Sequence, residues 1–302
     1  MQSNHSIMRS VVSSFLVIIF VFLLSSSVGI AVLINGDQLV SSPSNADIVY
    51  VDDDYNQNTP GWGVDHFNNI QDGITAVVEN GTVYVYNGTY GGKVSITKSL
   101  RLLGENAQET VFLGIYNMSD GIFRIDANYV NITGFTITYE YTNAFITELY
   151  INASYCTISN NIIRPRLDSL TDKNIHGIQV HGSYNNIVNN TIEYFFSPLA
   201  CYGIGLNQAS NNTLSGNYIS SNFYGLCIYG SSHNTITRNI FSNIKRNYVI
   251  TDMSRNTWDQ NFWGRPRFLP KPIFGTTEIG GHSLPWLVDV DWHPAKTSNI
   301  VV

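Results

Sequence analysis

Five times between Cys156 and Trp263 the chain writes the same short polar phrase, apolar-x-x-Asn-x-apolar, and a chain that repeats itself is committed to a repetitive fold before any other choice is made. The copies read "CTISNNII", "NIVNNTI", "NTLSGNYI", "NTITRNIF" and "NTWDQNFW". Their first apolar positions are Ile158, Ile187, Leu214, Ile236 and Trp258, at spacings of 29, 27, 22 and 22 residues. Three places on stand Asn161, Asn190, Asn217, Asn239 and Asn261, and two further stand Ile163, Ile192, Ile219, Phe241 and Trp263. A second column, Gly177, Gly203, Gly225 and Asn247, opens runs such as "GIQV" and "GLCI". Short runs with period-two alternation, punctuated by Gly, Asn and Ser, are strands rather than helical turns. Two or three such strands per repeat describe a parallel β-helix, in which each strand stacks on its equivalent in the next coil about 4.8 Å away.

The repeated asparagine has a structural role in such a coil. Asn enters tight non-helical turns cheaply, and its amide can bond to its equivalents above and below as a ladder. Asn217 is expected within this ladder and Asn222 outside it.

The apolar-x-x-Asn-x-apolar column resembles the repeats of right-handed parallel β-helix proteins, the pectin-lyase-like superfamily. It is most similar to the NosD-like branch, whose repeats are associated with carbohydrate-binding proteins and sugar hydrolases. "IVYVDDDYNQNTPGWGVDHFNNIQDGITAVVENGTVYVYNGTYGGKVSITKSLRLLGEN" (Ile48 to Asn106) resembles the opening module of such proteins in archaea and some bacteria, and "NTWDQNFWGRPR" (Asn256 to Arg267) resembles the close of the last coil in archaeal surface members. The resemblance spans residues 48 to 267 and implies fold more strongly than activity, because the superfamily includes lyases, hydrolases, epimerases, adhesins and copper-site maturation factors.

The expected organisation is a signal peptide or membrane anchor (1–34), a linker (35–45), the β-helix with its opening module and capping helix (46–264) and a C-terminal cap (265–302). "VVSSFLVIIFVFLLSSSVGIAVLI", Val11 to Ile34, is uncharged and follows Arg9. It reads equally as a cleaved secretory signal and as a retained anchor, and either way the repeats lie outside the cytoplasm. Seven Asn-x-Ser/Thr sequons follow, at Asn80, Asn87, Asn117, Asn131, Asn152, Asn189 and Asn211, as in an exported glycoprotein. With 13% charged residues, a formal charge of −6 and no basic stripe, the chain does not suit nucleic acid.

In "DHFNNIQDGITAVVENG" a helix would place Phe67, Ile70, Ile74, Val77 and Val78 on one face, capped by Asp65 and ended by Gly81, to cover the first coil. The proline- and aromatic-rich segment from Arg265 is expected to fold back over the last coil, against Trp258 and Trp263. Cys201 and Cys227 are offset by four strand positions, about 13 Å, beyond disulfide reach. Cys156 falls in another column, and all three cysteines are expected to be packing residues.

Candidate chemistry is thin. Asp52, Asp53 and Asp54 would suit Ca²⁺ only if the chain turns, since strand neighbours face opposite ways, so no cofactor is expected, with Ca²⁺ as the alternative. His176 and His181 bracket "GIQV" and on one straight strand would face opposite sides. Met, His and Cys are too scattered for copper.

The stronger signal is where the coils swell. The last repeats close their corner with six residues, whereas "TYEYTNAFIT", "RPRLDSLTDKNIHG" and "EYFFSPLACYG" insert more at one column, and insertions at one column emerge on one side. That side gathers Tyr139, Glu140, Tyr141, Arg164, Arg166, Asp168, Asp172, Lys173, Glu193, Tyr194, Phe195 and Phe196. Aromatic faces beside carboxylates and guanidinium groups suit a saccharide. The reading is an exported cell-surface protein that binds carbohydrate there. A polysaccharide lyase or glycoside hydrolase and a structural or adhesive surface module are the alternatives.

Overall fold

In the computed structural model the described residues are 46–114, 121–139, 146–165, 175–196, 201–252, 254–279 and 282–298. Each coil contributes one short strand to each of three parallel sheets, of ten, seven and seven strands. The first sheet opens with the short edge strand His66–Phe67 beside Ala46–Val51 and Val77–Val85 and ends with Thr257–Asp259. The second runs from Gly88–Gly92 to Ile240–Ser242, and the third from Val94–Ile96 to Arg246–Ile250. Parallel strands joined coil by coil give the right-handed β-helix that the repeats imply. The repeat anchors stack in register, Ile158 on Ile187, Ile187 on Leu214, Leu214 on Ile236 and Ile236 on Trp258. All five lie in the core, at 0–3% exposure.

Three asparagine ladders run through the turns, not one. In the expected ladder, Asn217 donates its backbone N–H and its amide Nδ2 to Asn239 Oδ1 (3.0 and 2.9 Å), and its Nδ2 also reaches Ile187 O (2.7 Å). Asn161, Asn190, Asn239 and Asn261 repeat the pattern. A second ladder climbs through Asn185, Asn212, Asn234 and Asn256. A third corrects the expectation for Asn222, which is fully buried. Its Oδ1 accepts Phe195 N (3.0 Å), and its N–H and Nδ2 donate to Asn243 Oδ1 (3.2 and 2.9 Å). The tight conformation also falls elsewhere than expected. The left-handed residues are those immediately before the ladder asparagines, at Asn160, Asn189, Gly216, Arg238 and Gln260, so that the asparagine itself can turn inward.

The capping helix is shorter than its apolar periodicity suggests. It spans Ile70–Ala76 and is capped by Asn69, whose Oδ1 accepts Asp72 N (2.8 Å), rather than by Asp65. Val77 and Val78 already belong to the strand Val77–Val85, which Val77 enters by pairing with Ala46. At the other end an antiparallel hairpin, Lys271–Ile279 and His282–Asp291, folds against the last coil. Asp291 Oδ2 accepts Asn261 N (3.1 Å), Asn261 Nδ2 (3.2 Å) and Trp263 Nε1 (3.0 Å), and Asp289 Oδ2 accepts Asn256 N (2.7 Å). Two ladders thus end on carboxylates, while Asn247 Oδ1 closes the third by accepting Asn243 N (3.0 Å). Cys227 pairs with Gly205, four strand positions beyond Cys201, the offset expected from the sequence, and the two form no disulfide.

Candidate functional site

The outer face of the third sheet is shaped by the glycine column. A Cβ at Gly177 would lie 2.9 Å from Ile192 Cγ2 and 2.8 Å from the Phe195 ring, so this position faces the core, and Ile178 and Val180 beyond it are fully buried. The strand therefore bends at the glycine. His176 before the bend and Gln179 and His181 after it share the outer face, which corrects the expectation that the two histidines face opposite sides.

Aromatic and polar side chains tile that face. The His176 ring stacks on Tyr202 with centroids 3.7 Å apart and planes 11° apart. Tyr202 lies over Gly205, where a Cβ would come within 2.4 Å of its ring, so only glycine leaves it room. One coil earlier Tyr150 meets the His181 ring at 5.0 Å, and the Arg124 guanidinium sits 5.0 Å over the Tyr150 ring. Asp126 holds Arg124 through two bonds (2.6 and 2.8 Å) and accepts Asn152 Nδ2 (3.1 Å). Hydrogen bonding from Arg124 keeps the Asp126 carboxyl below its ordinary value. Burial pushes His176 down to about 4, and burial together with Arg124 lowers His181. Burial favours the neutral imidazole at both, beside the Arg124–Asp126 pair, and leaves His176 Nδ1 and His181 Nε2 buried without a hydrogen-bond partner.

The residues expected from the loop insertions lie at the adjoining corner, between the second and third sheets, and separate into three groups. Tyr139 (1% exposed) and Phe195 (0%) are core residues and correct the sequence reading. Tyr139 ends the strand Thr136–Tyr139, buried along its length, and Phe195 turns under Gly177. Arg164 and Glu193 do meet, at 3.5 Å, with the Arg164 side chain 49% exposed. Burial raises the Glu193 carboxyl and Arg164 partly offsets this. Tyr194 takes a left-handed conformation (φ 68°) and is half-buried, and Phe196 is exposed. Glu140, Tyr141, Arg166, Asp168, Asp172 and Lys173 lie outside the described residues.

Sequence reading misses Arg124, Asp126, Tyr150 and Asn152, because their strands precede the first clear copy of the repeat; the alternation in "FRID" and "LYIN" was the available signal. It also misses Glu148. The pairs Thr147–His176 and Leu149–Ile178 place this residue in the glycine column, pointing into the core, at 0% exposure. Neither of its oxygens has a hydrogen-bond partner, and burial holds its carboxyl well above the ordinary value.

At "VDDDY" the chain does turn, and its carboxylates serve the turn. Asp52 Oδ1 accepts Asp54 N and Asp53 Oδ2 accepts Thr89 N, each at 3.0 Å. Among the described residues no three His, Cys, Asp or Glu side chains come together as a metal site.

Among known proteins, the family described as "Periplasmic copper-binding protein (NosD)" matches residues 68–267. No curated protein matches the chain in sequence. Of solved structures, pectate lyase Pel9A superposes with a TM-score of 0.56 at 16% identity, over 75% of this chain and 66% of that one. The chain thus spans just under two thirds of that protein's length, and the likeness is one of fold. Pectin methylesterase from carrot follows at a TM-score of 0.44 and 9% identity, over 74% of this chain and 75% of that one. The donor set among the described residues does not fit the copper of the family description, since Cys156 and Cys201 are buried singly and His176 and His181 each pack on a tyrosine. No copper step is derived. Among the described residues no helix is long and apolar enough to cross a membrane; Val11–Ile34 lies outside them.

Proposed function

The chain belongs to the NosD family, a periplasmic and hence non-cytoplasmic one, and from that premise we propose that it is an exported surface β-helix that binds a saccharide on its middle coils without cleaving it. The observation that carries this reading is the outer tier of the third sheet, with His176 on Tyr202 and His181 on Tyr150 beside the Arg124–Asp126 pair. Sugar rings present apolar faces and hydroxyl rims, and neutral aromatic platforms flanked by fixed polar groups match both. The Arg164–Glu193 pair forms a polar rim at the corner next to it. Binding is favoured over turnover because the carboxylates described here are engaged or sealed. Asp126 serves Arg124, Glu193 serves Arg164, and Glu148 is enclosed in the core, whereas acid–base cleavage needs groups that reach the bond.

The test offers the purified protein to neutral and acidic polysaccharides, with and without Ca²⁺, following binding by calorimetry and products by reducing-end and unsaturation assays. Binding should fall at least about tenfold in a Tyr150→Ala, Arg164→Ala double variant, the range expected for losing a stacking ring and a charged contact. Turnover would promote the lyase or hydrolase reading, and a folded protein that binds no glycan would leave the adhesive module. Release of a soluble form whose N-terminus lies near Ala31 would identify Val11–Ile34 as a cleaved signal; a membrane fraction retaining it would identify an anchor. Glycan mass on tryptic peptides would show which of the exposed sequons, such as Asn80, Asn152 and Asn211, are used.

A further inference from the structure

Where the hairpin meets the last coil it leaves a cleft of about 310 Å³, walled by Tyr248, Trp263 and Phe274 and rimmed by Arg246 and Lys271. Its electrostatics are one-sided. The Lys271 ammonium lies 5.2 Å from the Tyr248 ring centre and 5.6 Å from that of Trp263, and its bonds go to Pro272 O (2.7 Å) and Tyr248 OH (3.4 Å). Burial first, and the neighbouring Arg267 second, lower its pKa. Arg246, Arg267 and Lys271 form no ion pair with a described carboxylate, and Arg267 Nε is buried without an acceptor. Asp291, the acid close enough to favour the Lys271 charge, spends its Oδ2 on Asn261 and Trp263. Lys271 on its aromatic walls, with Arg246 and Arg267 nearby, faces one acid, Asp291, whose Oδ1 is buried without a hydrogen-bond partner; three cations against one carboxylate leave positive charge in excess, a half-made binding site for an anion.

We propose that this cleft binds an organic oxyanion, a carboxylate, phosphate or sulfate carried on a flat apolar ring, with the charged head between Lys271 and Arg246 and the ring against Phe274 and Tyr248. The site is at the C-terminal end of the solenoid and does not depend on the saccharide reading of the middle coils. The walls and the cations make separate demands. An inorganic anion satisfies only the second and a neutral ring only the first, so the combined ligand binds more tightly than either part.

Phenyl phosphate, inorganic phosphate and phenol are the probes, titrated into the full-length protein in detergent and followed by calorimetry. Phenyl phosphate should bind at least about tenfold more tightly than phosphate or phenol alone, with benzoate and phenyl sulfate reporting which head is preferred. Lys271→Gln and Arg246→Gln should each weaken phenyl phosphate about tenfold, while Arg124→Gln, on the third-sheet face, should leave it unchanged. Arg246 is exposed at the start of its strand, so its variant keeps the test alive if Lys271→Gln disturbs the hairpin. Equal affinity for phenol and phenyl phosphate, or an unaltered affinity in both variants, would overturn the proposal.

Discussion

Asn217 and Asn222 carry the sharpest test at the scale of single residues. Each accepts one backbone N–H from the coil before and donates twice into the coil after, and both are fully buried. Replacing either by Ala strands donors and acceptors in the core, at about 1–3 kcal/mol apiece. Chemical denaturation should therefore find Asn217→Ala and Asn222→Ala similarly unstable, and a silent Asn222→Ala would refute the third ladder. Glu148 is the opposite case, a polar group in an apolar place with nothing to bond. Its folded pKa lies above its unfolded value of about 4.5, so the folded state holds the proton longer and stability falls as pH rises above that value. Glu148→Met removes the mismatch at similar volume. The variant should melt higher than the parent at pH 8, with the gap narrowing toward pH 4; an equal gap at both would mean that Glu148 does not titrate on unfolding.

Elements succeed here by covering ends. A parallel solenoid leaves its last strands open, and the hairpin closes them by supplying acceptors where the next coil's asparagines would stand. Asp291→Ala strands three donors and should cost about 3 kcal/mol, whereas Asp291→Asn keeps an oxygen in place and should cost less. Thermal melts of the two variants decide it, and equal losses would show that the charge rather than the acceptor matters. That the tail folds back against Trp258 and Trp263 is legible in its aromatic content, but the aspartates that do the closing are not, because they lie outside the repeating phrase. The capping helix is legible by period and wrong by length. Val77 and Val78 suit a helix face and a strand equally, and the pairing of Val77 with Ala46 draws this stretch into the sheet.

At the scale of the whole molecule, the fold is readable wherever equal spacing brings equal residues together, which is why Asn161 to Asn261 stand out. Asn185, Asn212, Asn234 and Asn256 recur just as regularly, but they precede the apolar anchor and pass for turn residues. The site is far less readable. Its tier depends on a bend at Gly177 that sends His176 and His181 the same way, and period-two counting places them apart. Tyr139 and Phe195 fail for a related reason: at a corner both sides of the chain can be buried, so aromatic content does not mark the outer side.

The aspartates at the hairpin recognise only the last unanswered N–H groups, not the coil that bears them. Chain length is then a free variable, counted in whole coils. Excising residues 217–238, which joins Gly216 to Asn239, removes one 22-residue period and returns an asparagine to the vacated place. Asn190 should then bond to Asn239 as it did to Asn217, and the same two carboxylates should close a protein one storey lower. Circular dichroism and a single cooperative melt would show a shortened molecule that is less stable in proportion to its lost core, whereas cutting only part of this segment, so that no asparagine returns to the vacated place, should abolish the cooperative melt.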